Sequence, residues 1–286
     1  MPTQVEKGQS FRELHERDTA FIIPNPWDIG TARLLAHMGF EALATTSMGY
    51  AFSVGKPDNT IDRDRILEHI SAIAGATDLP VSADLENGFG SEPETVAETI
   101  TLAAEAGVVG GSIEDATGQS DDPIYEIEHA ADRIRAAVEA ARSLPFVFTL
   151  TARAENYLHG RPNLSDTIKR LQAYQEAGAD VLYAPGLASK DDIEAVLSAV
   201  DRPINIVMGL RGVQLTLAEL SKMGVRRISV GSALYRTALG AFLRAADEMR
   251  GQGTFTFARE AANPREVSEI FAAVAPLTLG ATLPKP

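Results

Sequence analysis

The 286-residue chain is 45% hydrophobic and carries 39 acidic against 26 basic side chains, a net charge of -13, and its pI is near 4.9. Such an excess of acid, with no basic run, argues against a polyanion such as nucleic acid as partner. The absence of cysteine excludes disulfides, thiolate metal sites and a cysteine nucleophile. No apolar signal core follows Met1 and no apolar run approaches a membrane span, so a soluble, cytoplasmic, globular protein is expected.

A polar helical lead-in over Phe11 to Asp18 opens the chain, followed by the apolar strand Phe21–Ile23, which Pro24-Asn25-Pro26 closes. Asp28 is placed to cap a helix over Ile29 to Met38, and Gly39 ends it. Trp27 and Asp28 are therefore expected to pack and cap. The same punctuation recurs at Gly107, Gly178 and Gly224: a helix, a glycine just past its end, then an apolar strand. Counted by that rule, strands are expected at 21–23, 42–46, 81–86, 109–114, 146–151, 181–184, 204–207 and 228–230. Eight alternations in this length predict a (β/α)₈ barrel rather than a doubly wound sheet. With no linker dividing it, residues 1–286 read as one barrel domain with a helical extension over 251–286. Asn263-Pro264-Arg265-Glu266 starts a helix over Val267–Val274 in that extension, and such a helix needs a surface to cover, for which a second subunit is one candidate.

In such a barrel the active site lies at the carboxyl ends of the strands. Strand two leads into a small-residue loop, Ser47, Met48 and Gly49; strand three supplies Asp84 and Glu86; strand four supplies Glu114 and Asp115. Strand five gives Arg153, Glu155 and Asn156, strand six Tyr183, and strand seven Asn205. Strand alternation turns Asp84 and Glu86 to one face, where their charges repel. Two readings fit that pair alone: solvated acids ahead of the helix beginning near Ser91, or ligands of a hard divalent cation. The convergence of acids from strands three and four beside one arginine favours a metal site next to an anion-binding residue. Oxygen donors without histidine suit Mg²⁺ better than Zn²⁺.

These residues resemble the isocitrate lyase/phosphoenolpyruvate mutase superfamily across nearly the whole chain. The matching motifs are Pro24-Asn25-Pro26-Trp27-Asp28, Thr46-Ser47-Met48-Gly49, Gly55-Lys56-Pro57-Asp58, Ala83-Asp84-Leu85-Glu86-Asn87-Gly88, Ser112-Ile113-Glu114-Asp115, Thr151-Ala152-Arg153-Ala154-Glu155 and Asn205-Ile206-Val207. The resemblance implies a barrel that binds a small oxo acid or its enolate on Mg²⁺ and makes or breaks a C–C or P–C bond. It implies Asp84 as the direct metal ligand, with Glu86 and Glu114 holding metal-bound waters and Asp58 reaching toward that shell. By the same resemblance Arg153 grips the substrate carboxylate, backbone N–H groups of Ser47 to Gly49 hold its oxygens, and Asn205 is a polar substrate contact. A homo-oligomer, dimer or tetramer, with the last helix swapped between subunits, is also implied.

The departures fall on the lid. Lyases of the family carry a cysteine-bearing lid motif after strand four, but here the segment reads Asp115-Ala116-Thr117-Gly118-Gln119-Ser120-Asp121-Asp122-Pro123. The glutamate expected after strand six is replaced by Pro185-Gly186, and the mutases' polar lid is not found either. Tyr50 and His159 are the remaining candidates for a proton donor, with His159 expected to be exposed. The glycines Gly209, Gly212 and Gly231 are read as turn residues rather than a phosphate cradle. The resulting expectation is an Mg²⁺-dependent lyase or decarboxylase of a small oxo- or hydroxy-dicarboxylate. P–C chemistry of the mutase or phosphonopyruvate hydrolase kind, or a non-catalytic barrel that binds oxo acids, are the alternatives.

Overall fold

The computed structural model describes residues 2–187, 189–210 and 214–273. Helix α1 (Gln4–Glu16) precedes β1 (Phe21–Ile23), α2 (Ile29–His37), β2 (Leu43–Ala44), α3 (Ser47–Ser53) and α4 (Arg63–Ala74). Then β3 (Val81–Asp84), α5 (Pro93–Glu105), β4 (Gly110–Glu114), α6 (Ile127–Arg142), β5 (Thr149–Arg153) and α7 (Leu164–Glu176) follow. The series closes with β6 (Val181–Tyr183), α8 (Lys190–Ala199), β7 (Ile204–Val207), α9 (Leu217–Met223), β8 (Arg227–Ser229) and α10 (Ala233–Gln252). The eight strands are all parallel, in the order β1-β8-β7-β6-β5-β4-β3-β2. This is the expected (β/α)₈ barrel. Its one seam without a ladder lies between β1 and β2, where Pro24 and Pro26 lack the N–H groups a ladder needs. Ala44 N–H to the Pro24 carbonyl (3.1 Å) and Asn25 Nδ2 to the Thr45 carbonyl (3.0 Å) bridge that seam instead.

The helix ends follow the predicted chemistry. Asp28 accepts from Thr31 N–H at 2.7 Å in a capping box, a cap of the kind that stabilises a helix by about 1 kcal/mol. Gly39, Gly107, Gly178 and Gly224 all take positive φ, between 87° and 105°, at the helix-to-strand turns. Between the strands and the outer helices lies the main apolar core, in which Leu43, Ile70, Ile100, Ile113, Phe148, Leu150 and Leu182 are buried. A second cluster, Phe11, Leu14, Phe21, Ile23, Ala42 and Val109, seals the amino-terminal floor of the barrel. Gly110 makes room for it: a Cβ there would stand 2.8 Å from Phe11 Cε1.

The chain forms two compact units, Met1–Leu239 and Gly240–Pro286. Beyond α10 the second unit contains a 3₁₀ turn (Thr256–Glu260) and α11 (Pro264–Ala273), with Arg265 N–H donating to Asn263 Oδ1 at 2.9 Å. The helix start read at Asn263-Pro264 is therefore observed; its far end at Val274, like Gly212, falls outside the described residues. Among the described residues no helix is long and apolar enough to cross a membrane.

Candidate active site

Arg153 is the last residue of β5 and stands at the centre of the barrel mouth, its side chain 14% exposed. Its Nη1 donates to Asp84 Oδ1 (2.9 Å) and its Nε to Glu155 Oε1 (2.9 Å), while Nη2 forms an ion pair with Glu114 Oε2 at 3.0 Å. Three strand ends thus meet on one guanidinium. Burial opposes its charge, but Glu155, Glu114 and Asp84 together hold it protonated well above the ordinary arginine range. The acids still outnumber it. Burial pushes Glu114 and Glu155 upward against the pull of Arg153.

Asp84 ends β3, where Ser47 donates to its Oδ2 through both backbone N–H (3.0 Å) and hydroxyl (2.8 Å). Ser47, Met48 and Gly49 form the first turn of α3 rather than the loop expected from the sequence, because Thr46 Oγ1 caps it by accepting from Gly49 N–H at 3.2 Å. The N–H groups of Ser47 and Gly49 are therefore already committed within the chain, and Met48 Sδ accepts from the Ser232 hydroxyl at 3.0 Å.

Glu86 reaches the site by another route than strand alternation. The strand stops at Asp84, and Glu86 lies on the following turn with φ 49°, a left-handed conformation costly for a side-chain-bearing residue and common at functional sites. Its carboxyl is nevertheless pushed to about 8, first by burial and then by the charges of Asp84 and Asp58. Asp58, on the α3–α4 segment, is raised by burial and by Asp84, and its Oδ1 is buried without a partner among the described residues.

Beneath the mouth, strand register defines a polar row that the sequence does not reveal. Ladder partners run Glu114, Arg153, Tyr183, Asn205, Arg227, from the carboxyl end of β4 to the first residue of β8. Because barrel strands tilt and stagger, this hydrogen-bonded row descends from the mouth toward the floor. The Arg153 guanidinium carbon lies 5.3 Å from the Tyr183 ring centroid. Asn205, 1% exposed, donates to Ser229 Oγ (3.0 Å) and accepts from Arg227 Nε (2.9 Å). It is thus an interior residue tied to Arg227, below the rim where the sequence placed it. Together with Asp84, Arg153, Tyr183, Asn205 and Arg227 surround a cavity of about 90 Å³.

Several further expectations are refined. Asp115 is a structural anchor, accepting from Glu155 N–H (2.8 Å), Arg170 Nη1 (3.0 Å) and Tyr174 hydroxyl (2.5 Å). Asn156 likewise serves its own loop, donating to Thr167 Oγ1 at 2.7 Å. Tyr50 stacks on His69 at 3.9 Å and lines a separate outer cavity with Trp27 and Asp28. His159 is half-buried rather than exposed: burial lowers its pKa, and it senses the charges of Asp115 and Arg153. The segment after β4 folds on itself, with Thr117 N–H bonded to the Pro123 carbonyl (2.9 Å), and leaves Gln119, Ser120, Asp121 and Asp122 exposed. Arg227 and Glu155 were the residues the sequence left unassigned. The signal for Arg227 was its alternation with Ser229 across Ile228, which turns both to one face.

A family model described as phosphoenolpyruvate phosphomutase matches residues 11–250. The chain belongs to this family. Its fold and motif order place it in the phosphoenolpyruvate mutase/isocitrate lyase superfamily. A Burkholderia cenocepacia J2315 protein of known crystal structure is 66% identical, with a TM-score of 0.92 over 94% of this chain and 97% of its own. The 2-methylisocitrate lyase of Escherichia coli K12 is 32% identical over 69% of this chain and 68% of its own length. An oxaloacetate decarboxylase of Chromohalobacter salexigens is 28% identical, covering 84% of each chain.

The donor set fits the Mg²⁺ expected for a member of this family. Asp58, Asp84, Glu86, Glu114 and Glu155 crowd one arginine, and the orphaned Asp58 Oδ1 and raised Glu86 both mark uncompensated negative charge. Among the described residues no three acidic or imidazole groups close directly around a cation.

Proposed function

We propose that the protein is an Mg²⁺-dependent lyase or decarboxylase of a small oxo- or hydroxy-dicarboxylate, working through a pyruvate-like enolate. The observation that carries this reading is the meeting of Asp84, Glu114 and Glu155 on Arg153, with Glu86 and Asp58 beside them. The relatives named 2-methylisocitrate lyase and oxaloacetate decarboxylase support it. Asp84 would hold the metal directly and Glu86 and Glu114 through water, with Asp58 closing that shell. When bound, Mg²⁺ supplies Lewis-acid charge where an oxo acid develops negative charge.

The chain's own residues do the rest. Arg153 has N–H groups beyond those it donates to Asp84 and Glu155, and these would bind the substrate carboxylate. Ser47 orients Asp84 by two hydrogen bonds, so the metal ligand and the arginine are fixed in one frame. The chain has no cysteine and its post-β4 segment is turned on itself, and an enolate leaving the site can take its proton from water. That favours loss of CO₂ from a 2-oxo diacid, or cleavage of a malate-like acid, over cleavage of a tricarboxylate. A positioned acid is worth about 10²–10⁴-fold, and tricarboxylate cleavage would forgo it here.

Calorimetry with oxalate, an enolate mimic, tests the metal assignment. Mg²⁺-dependent oxalate binding should disappear in Asp84→Ala, whose fold is verified separately by circular dichroism because the substitution removes the 2.9 Å ion pair to Arg153 as well as repulsion among the acids. Unchanged oxalate affinity would remove Asp84 from the site.

A further inference from the structure

Arg227 is 5% exposed and makes one side-chain hydrogen bond, from Nε to Asn205 Oδ1, while its Nη1 is buried without a partner among the described residues. The contrast with Arg153 is sharp in charge terms. Arg153 has three carboxylates within 3.0 Å, whereas no described carboxylate reaches Arg227. Its charged neighbour is Arg153 itself, which repels it. A buried guanidinium with an unmet N–H and no counter-charge is costly, and proteins retain such a group where a ligand completes it. Arg227 also faces the cavity of about 90 Å³ that Arg153 and Asp84 line as well, along with Tyr183, Asn205 and Ser229. That space exceeds the roughly 10–15 Å³ a single water needs, so it admits small polar groups. The lining supplies donors suited to a carboxylate: the Arg227 guanidinium, the Tyr183 hydroxyl and the Ser229 hydroxyl.

We propose that Arg227 binds a second carboxylate inside the barrel, below the Arg153 site. Two sources share this chemistry, the distal carboxylate of a dicarboxylate substrate and a free small carboxylate. The first source rests on the function proposed above; the second does not.

The tests use the full-length protein with formate as probe, at constant ionic strength. Formate should raise the thermal midpoint of the wild-type protein saturably and should have no such effect on Arg227→Met, whose fold is verified by circular dichroism. If formate competes with the dicarboxylate and Arg227→Met raises KM at least tenfold, the carboxylate is the substrate's own. If formate binds alongside the dicarboxylate, or no dicarboxylate is turned over at all, the site takes a free carboxylate. Should Arg227→Met not fold, crystals of the wild-type protein soaked in bromide decide the matter, with an anomalous peak in contact with Arg227 Nη1 expected. A wild-type protein indifferent to formate, or a bromide soak with only water at Nη1, overturns the proposal.

Discussion

At Arg153 one side chain compensates three acids from three different strand ends, so substitutions there act on geometry as well as charge. A lysine keeps the charge but has no planar fork, and it cannot reach Asp84, Glu114 and Glu155 together. Arg153→Lys should lower kcat/KM by about 10²-fold or more, the scale for losing one preorganised donor. It should also destabilise the fold by about 1–3 kcal/mol, the scale for leaving a buried acceptor without its hydrogen bond. Steady-state kinetics near wild type, with an unchanged thermal midpoint, would make Arg153 dispensable to both. Asp84, Glu114 and Arg153 were legible in the sequence because each is a charged residue in or just after an apolar run that reads as a strand; that Asp84 and Arg153 end their strands came with the structure. Glu86 was legible as an acid near the site, yet the reason was wrong: the left-handed turn after Asp84, not strand alternation, carries it there. Glu155 and Asp115 differ in role only through partners far along the chain, Arg153 for one and Arg170 and Tyr174 for the other, and local sequence does not show those contacts.

Among the elements, α1 closes the barrel floor and carries a built-in acid sensitivity. His15 is buried edge-on against Phe11 (4.7 Å) and Phe21 (5.0 Å), and its Nδ1–H donates to the Phe11 carbonyl at 2.8 Å. Burial first, and the charge of Arg227 second, depress its pKa to about 3. Arg12, Glu16, Asp180 and Arg202 line the adjoining cavity. Between the unfolded value near 6.5 and the folded value near 3, the unfolded chain binds a proton that the native chain refuses. Stability is therefore complete above about pH 6.5 and falls as pH drops through that window, by up to several kcal/mol at about 1.4 kcal/mol per unit. Denaturant titrations should show wild type losing stability relative to His15→Leu as pH falls from 6.5 toward 4. A difference that stays constant with pH would contradict this. The strands themselves were legible to within a few residues. The largest slip, β5 starting at Thr149 instead of Phe146, arises because β5 begins where its β4 ladder partner begins, at Gly110. The helical start at Ser47 was missed because the cap that creates it, Thr46 Oγ1 to Gly49 N–H, lies in a run of small residues with no apolar period.

For the whole molecule, eight strand-and-helix alternations were enough to read the barrel, since parallel strands joined by helical crossovers leave few other ways to bury both faces of the sheet. The stagger between strands was not readable, because it is set by closure of the whole sheet and by no single segment. Hence the descending row from Glu114 to Arg227 came only with the structure. The central claim is that the acids around Arg153 hold Mg²⁺ for enolate chemistry on a small diacid. The most direct measurement is pyruvate release from a panel of oxaloacetate, malate-like acids and 2-methylisocitrate, with Mg²⁺ or with chelator, above the rate of Mg²⁺ alone. Protein-dependent release that chelator abolishes is expected, faster for at least one of the smaller acids than for 2-methylisocitrate. Release unaffected by chelator, or 2-methylisocitrate turned over at least as fast as every smaller acid, would contradict it.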